Sequence, residues 1–148
     1  MNNDMPDTDN RLITFHLSGS DFAVPIAQVR EVTSAEKINA LPGARKPLEG
    51  LMIYREHQAL PVFSLFDALG RENGRSGELV VVVELGGQIL GFRVDGIGRV
   101  VDGLGNEEDD PEGADLDIPP ESVQGVFSDR GSRVVVLRLE KVFGNVLN

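Results

Sequence analysis

Tyr54, Arg55, Glu56 and His57 are consecutive, and they offer a phenol ring, a guanidinium, a carboxylate and an imidazole side by side. That set suits recognition. An arginine pairs bidentately with a carboxylate or stacks on a ring, and a tyrosine, here the only one in the chain, anchors interfaces. Other chemistries find less support. His16 and His57 are the only histidines and lie far apart in sequence, so a metal site would need the fold to bring them together with a carboxylate. His16 is expected on the outer face of a strand. Paired-carboxylate catalysis needs two acids in a cleft with separated pKa values; Asp67, Glu84 and Asp95 are available, but no spacing pairs them. The chain has no cysteine, which excludes disulfides, thiol catalysis and thiolate metal sites. Residues 106–117 are rich in carboxylates but lack the ligand order of an EF-hand. No glycine-rich segment has phosphate-loop spacing before a helix. The expectation is a non-catalytic protein with no metal and no cofactor.

The four residues sit where residues 47–70 turn. Apolar runs at 48–54 and 59–66 flank a polar turn at 55–58, the pattern of a β-hairpin whose second strand enters a short helical turn ending at Gly70. A hairpin so densely apolar reads as core that holds its tip out to a partner. Before it, Ile13, Phe15 and Leu17 alternate with Thr14 and His16, and Phe22, Val24 and Ile26 alternate after a turn at 18–21, giving a first hairpin. A short strand at 29–33 and a basic loop at 43–46 follow. Residues 71–78 have linker composition. Residues 79–85 are apolar at every central position, as in a strand buried on both faces. A strand through Phe92 and Val94 is expected to continue through Ile97, Val100 and Val101. Residues 102–121 are acidic with glycines and prolines, a long exposed loop. Strands at 122–128 and 133–139 and a helical turn at 140–144 complete the chain.

The halves repeat. Ile13, Phe15, Leu17, Phe22, Val24, Ile26, Val29 and Val32 match Val81, Val83, Leu85, Leu90, Phe92, Val94, Ile97 and Val100 at an ungapped offset of 68. Later the offset grows, so that Gly50 matches Gly125 and Val62 matches Val136. A repeat of this length fits two small β-barrels rather than a solenoid. The division is a flexible acidic tail at 1–10, barrel-like repeats at about 11–70 and 79–144, and a linker at 71–78. Which barrel owns the first strand stays open. A length of 148 residues suffices for this, and the formal net charge of −10 argues against nucleic acid or anionic membranes as partners. No apolar run reaches the ~20 residues of a membrane helix, and the polar start is not a signal peptide. A cytoplasmic protein is expected.

These residues resemble the CheW-like family of chemotaxis coupling proteins. The resemblance rests on Phe15-His16-Leu17, on Phe22 through Val32, on Leu41-Pro42, Gly50, Arg55 and Leu60-Pro61-Val62, and on Val94-Asp95-Gly96, Gly125 and 134–139. It implies an all-β fold of two tandem SH3-like five-stranded barrels with short helical turns. It implies a non-catalytic adaptor that couples chemoreceptors to a CheA-type histidine kinase, whose regulatory domain and the cytoplasmic receptor tip are the partners. It also adds Val29 and Glu31 to Tyr54, Arg55 and His57 as partner-binding positions. Where the family usually reads Asn-Leu-Arg-Gly, this chain has Ile53-Tyr54-Arg55-Glu56, and Ser64 stands where an aspartate is usual. These departures leave a second expectation, an auxiliary relative that binds another effector in a pilus, gliding or biofilm pathway, sequesters a partner or self-associates.

Overall fold

A computed structural model describes residues 10–70, 77–103 and 118–146; the N-terminal tail, most of the linker and most of the acidic loop lie outside these. Among the described residues the strands are β1 (Arg11–Leu17), β2 (Ser20–Pro25), β3 (Val29–Ser34), β4 (Asn39–Ala40), β5 (Leu48–Tyr54), β6 (Gln58–Phe63), β7 (Leu79–Leu85), β8 (Gln88–Val94), β9 (Gly96–Asp102), β10 (Val123–Asp129) and β11 (Ser132–Leu137). The helices are single turns, α1 (Leu65–Ala68) and α2 (Leu139–Val142). Ser64 caps α1 by accepting from the Asp67 amide, the capping role that Ser shares with Asp.

The strands form two sheets, ordered β10-β11-β2-β1-β9 and β3-β7-β8-β6-β5-β4. The first holds five strands; the second has a two-residue sixth, β4, on its edge. Each sheet draws on both sequence repeats. The opening hairpin β1–β2 joins β9, β10 and β11, while the matching hairpin β7–β8 joins β3 to β6. The exchange is reciprocal in detail. Phe15 faces Ile97 and Ile13 faces Val100, just as Val83 faces Val29 and Val81 faces Val32. Val136 lies beside Ala23 in a parallel pair, as Val62 lies beside Gly91. Register shifts recur at equivalent places, between Val29 and Glu31 and between Ile13 and Phe15 against β9. The repeat seen in the sequence is therefore an internal two-fold likeness in space.

Three cores follow from period-two alternation in curved sheets. Leu12, Ala23, Phe127, Val134 and Val136 fill the first barrel. Met52, Tyr54, Leu60, Val62, Val80 and Val82 fill the second. The opposite faces of β1, β2, β7 and β8 meet between the sheets around Phe15, Phe22, Phe92 and Phe143, with α1 and α2 packed against them. The strand β7 is buried on both faces for this reason: Val80 and Val82 point into a barrel, Val81 and Val83 into the shared core. The same geometry corrects one expectation. Thr14, read as outer-face polar, is 5% exposed, because the outer face of β1 lines a barrel; its hydroxyl binds the amide and carbonyl of Arg99. A second correction concerns residues 96–102. They do not continue β8, but cross to the other sheet and pair with β1.

Candidate partner-binding surface

The β5–β6 hairpin turns through a single 3-10 turn, Arg55–His57. Glu56 and His57 both take positive φ, 53° and 71°, the left-handed region that glycine occupies without penalty and a β-carbon resists. The resemblance sets a glycine at the position of Glu56; a residue with a β-carbon there makes a strained tip.

The turn presents Arg55, with 70% of its side chain exposed. Its guanidinium carbon lies 5.4 Å from the centroid of the Tyr54 ring, within cation–π range. Its Nη2 lies 3.5 Å from Glu31 Oε1 on β3. The structure thus brings Glu31 together with Tyr54 and Arg55, more than twenty residues further along the chain. An exposed pair of this length contributes at most about 1 kcal/mol. It orients Arg55 without consuming it.

The other expected positions fall elsewhere. Val29 is half-buried against the shared core, on the opposite side of the β3 register shift from Glu31. His57 is exposed at the turn. Tyr54 is 9% exposed and belongs to the second barrel's core, so it offers Arg55 a ring face rather than projecting as an anchor. His16 pairs with Asp21 at the far barrel. Asp67, Glu84 and Asp95 separate into three structural roles: Asp67 lies 3.8 Å from Lys46, Glu84 pairs with Arg30, and Asp95 accepts from the Ser18 amide at 2.7 Å. Among the described residues no three His, Cys, Asp or Glu side chains converge as a metal site.

Sequence reasoning missed Ile53. It is 61% exposed, although the hairpin around it was expected to be core. On β5, Gly50, Met52 and Tyr54 turn inward, while Leu51 and Ile53 turn outward, opposite Pro61 and Ala59 of β6. Leu41, beyond β4, is exposed as well. The signal was present in the unbroken apolar run at 51–54: a strand apolar on both faces either has cores on both sides or offers one side to a partner. The surface is therefore an apolar strip, Leu51, Ile53, Ala59 and Pro61, ending at an oriented arginine. It has the composition of a protein-binding patch, an apolar centre with charge at its rim.

A folded unit of two exchanged barrels carrying such a patch has an architecture suited to binding. The profile of the CheW-like domain family matches residues 11–146, and the chain belongs to that family. In three dimensions it is similar to the scaffolding protein TtCheW from Thermoanaerobacter tengcongensis, with a TM-score of 0.76 and 22% identity over 91% of this chain and 92% of that one. No curated protein sequence matches the chain. Family membership places the chain among scaffold or adaptor proteins of chemosensory signalling. No described helix is long and apolar enough to cross a membrane.

Proposed function

We propose that this protein is a non-catalytic cytoplasmic adaptor that couples the cytoplasmic tips of chemoreceptors to a CheA-type histidine kinase. The observation that carries the reading is the β5–β6 outer face, where an exposed isoleucine adjoins an arginine held by a carboxylate and a ring. The regulatory domain of the kinase docks on this face, and Arg55 exchanges its loose contact with Glu31 for a carboxylate of the partner. Glu31, Arg55 and His57 form this contact, Tyr54 backs it from the barrel core by offering Arg55 its ring face, and Val29 supports it by fixing β3. Single contacts of this size bind at roughly micromolar strength and gain from assembly of many copies.

The tip also favours a more specialised role. Glu56 and His57 hold left-handed backbone at a family glycine position, and Ile53-Tyr54 replace the usual pair. These changes suit a partner that differs from that of a main coupling protein, such as an effector of a pilus, gliding or biofilm pathway.

Calorimetric titration with the regulatory domain of the CheA-type kinase from the same organism tests the reading. Arg55→Ala is expected to weaken binding about tenfold, the equivalent of 1.4 kcal/mol. Wild-type protein that is folded and binds neither the kinase domain nor a receptor-tip helical hairpin would overturn it.

A further inference from the structure

The internal likeness allows one barrel mouth to be compared with the other, position by position. In the second barrel, Glu84 ends the inward row of β7 and is answered by Arg30, with which it forms an ion pair. In the first barrel the residues at the same offset are His16 and Gly98. The carboxylate has moved across the strand pair to Asp21, which faces His16 in register. No cation stands at the position of Arg30, although Arg99 and Arg130 line the same mouth. Gly98 admits no side chain there, since a β-carbon would meet Thr14 Oγ1 at 2.2 Å. A depression of about 390 Å³ lies in this mouth, lined by His16, Asp21, Gly98, Arg99, Asp129 and Ser132 among others.

The charges in the depression are unevenly matched. Arg99 donates to both oxygens of Asp129, at 3.1 and 2.6 Å, and Arg130 also lies near Asp129 and favours its charged form. Asp129 thus faces two guanidinium groups. Asp21 has one side-chain partner among the described residues, His16, whose Nδ1 lies 2.5 Å from Asp21 Oδ1; Arg99 and Arg130 line the same depression but pair toward Asp129. A carboxylate cannot donate, so Nδ1 supplies the proton of this hydrogen bond. Among the described residues the other oxygen of Asp21 has no hydrogen-bond partner, and the imidazole beside it is half exposed.

We infer that the mouth of the first barrel is a binding site for a guanidinium group supplied from outside the chain, held by the Asp21 carboxylate beside the His16 imidazole. A planar, weakly hydrated cation suits a carboxylate flanked by an imidazole face better than an ammonium does. The Ser132 hydroxyl adds an acceptor at the rim.

The test is an amide and imidazole chemical-shift titration of the full chain with N-acetyl-argininamide, free L-arginine and citrulline, which has the shape of arginine without its charge. The site predicts saturable shifts at His16, Asp21, Gly98 and Ser132 with the arginine compounds, and at least about tenfold weaker response to citrulline. Stronger binding of the acetylated amide marks an arginine side chain within a protein partner; stronger binding of free arginine marks a small-molecule ligand; either supports the site. Asp21→Asn keeps an acceptor for His16 and should abolish the response. Arg130→Ala, a change in an exposed turn, should strengthen it severalfold by removing a competing cation. Absence of saturable shifts, equal response to citrulline, or a response unchanged in both variants would overturn the inference.

Discussion

Two residues at the scale of single side chains hold energy that can be measured. Glu56 occupies left-handed backbone, which costs a residue with a β-carbon about 1–2 kcal/mol, while glycine there loses part of that gain to the entropy of its unfolded chain. Glu56→Gly is expected to stabilise the fold by about 0.5–1 kcal/mol, seen as a higher urea midpoint at unchanged slope. Glu49 on β5 has a buried oxygen without a hydrogen bond, and Arg93 Nη1 is 3.6 Å from it, a Coulombic contact too long for a hydrogen bond. Burial pushes the Glu49 carboxyl above the ordinary range; Arg93 pulls it down and Asp67 raises it. The folded state therefore holds this proton more tightly than the unfolded chain. Its contribution favours the fold at low pH and fades as pH rises from the ordinary glutamate value through the raised one. Glu49→Gln, neutral throughout, should gain stability relative to wild type as pH rises across that window. A constant difference between the two would show that Glu49 titrates normally. Asp129 has the opposite sign: its hydrogen bonds from Arg99 hold it below the ordinary range, so its contribution is present near neutrality and lost in acid. The tip residues were legible in sequence because their types are rare together. Ile53 was not, because alternation identifies two faces of a strand but not which one meets water.

At the scale of elements, hairpins and single-turn helices could be read from alternation and punctuation, but their partners could not. Pairing β1 with β3 or with β9 presents the same kinds of residue, since Val29 and Val32 in one repeat match Ile97 and Val100 in the other. Period and propensity cannot distinguish a hairpin kept within its repeat from one exchanged with the other. The exchange resolves the ownership of the first strand: β1 lies between β2 and β9. Close approach then becomes a constraint that glycine meets. A β-carbon at Gly50 would lie 2.4 Å from the Asn39 carbonyl oxygen, on the β4–β5 pair that borders the apolar strip. Gly50→Ala is expected to cost about 1–3 kcal/mol, with β4 amides losing hydrogen-exchange protection before those of β7. Retained β4 protection in a destabilised variant would locate the strain elsewhere.

The whole molecule unfolds as one unit on this account. Each barrel contains a hairpin from the other repeat, and the largest core lies between the sheets around Phe15, Phe92 and Phe143. Neither repeat can leave without dismantling both sheets. Phe143 is 1% exposed, and Phe143→Ala should cost about 3–5 kcal/mol. Tyr54 fluorescence, which reports the second barrel, and far-ultraviolet dichroism, which reports both, should share one urea midpoint within each protein, lower in the variant than in wild type. Separate midpoints would mean independent barrels. The rigid pair of barrels is what gives the β5–β6 face a fixed shape and Arg55 a fixed direction, so the adaptor reading rests on the same architecture.

The most direct test of that reading is where a kinase domain leaves its footprint. Labelled full-length protein would be titrated with the unlabelled regulatory domain of the CheA-type kinase while backbone amides are followed by nuclear magnetic resonance. The account predicts line broadening centred on residues 51–59 and on Glu31, weakened in Arg55→Ala. A footprint confined to β10, β11 and the far barrel mouth, with residues 51–59 unmoved, would contradict it.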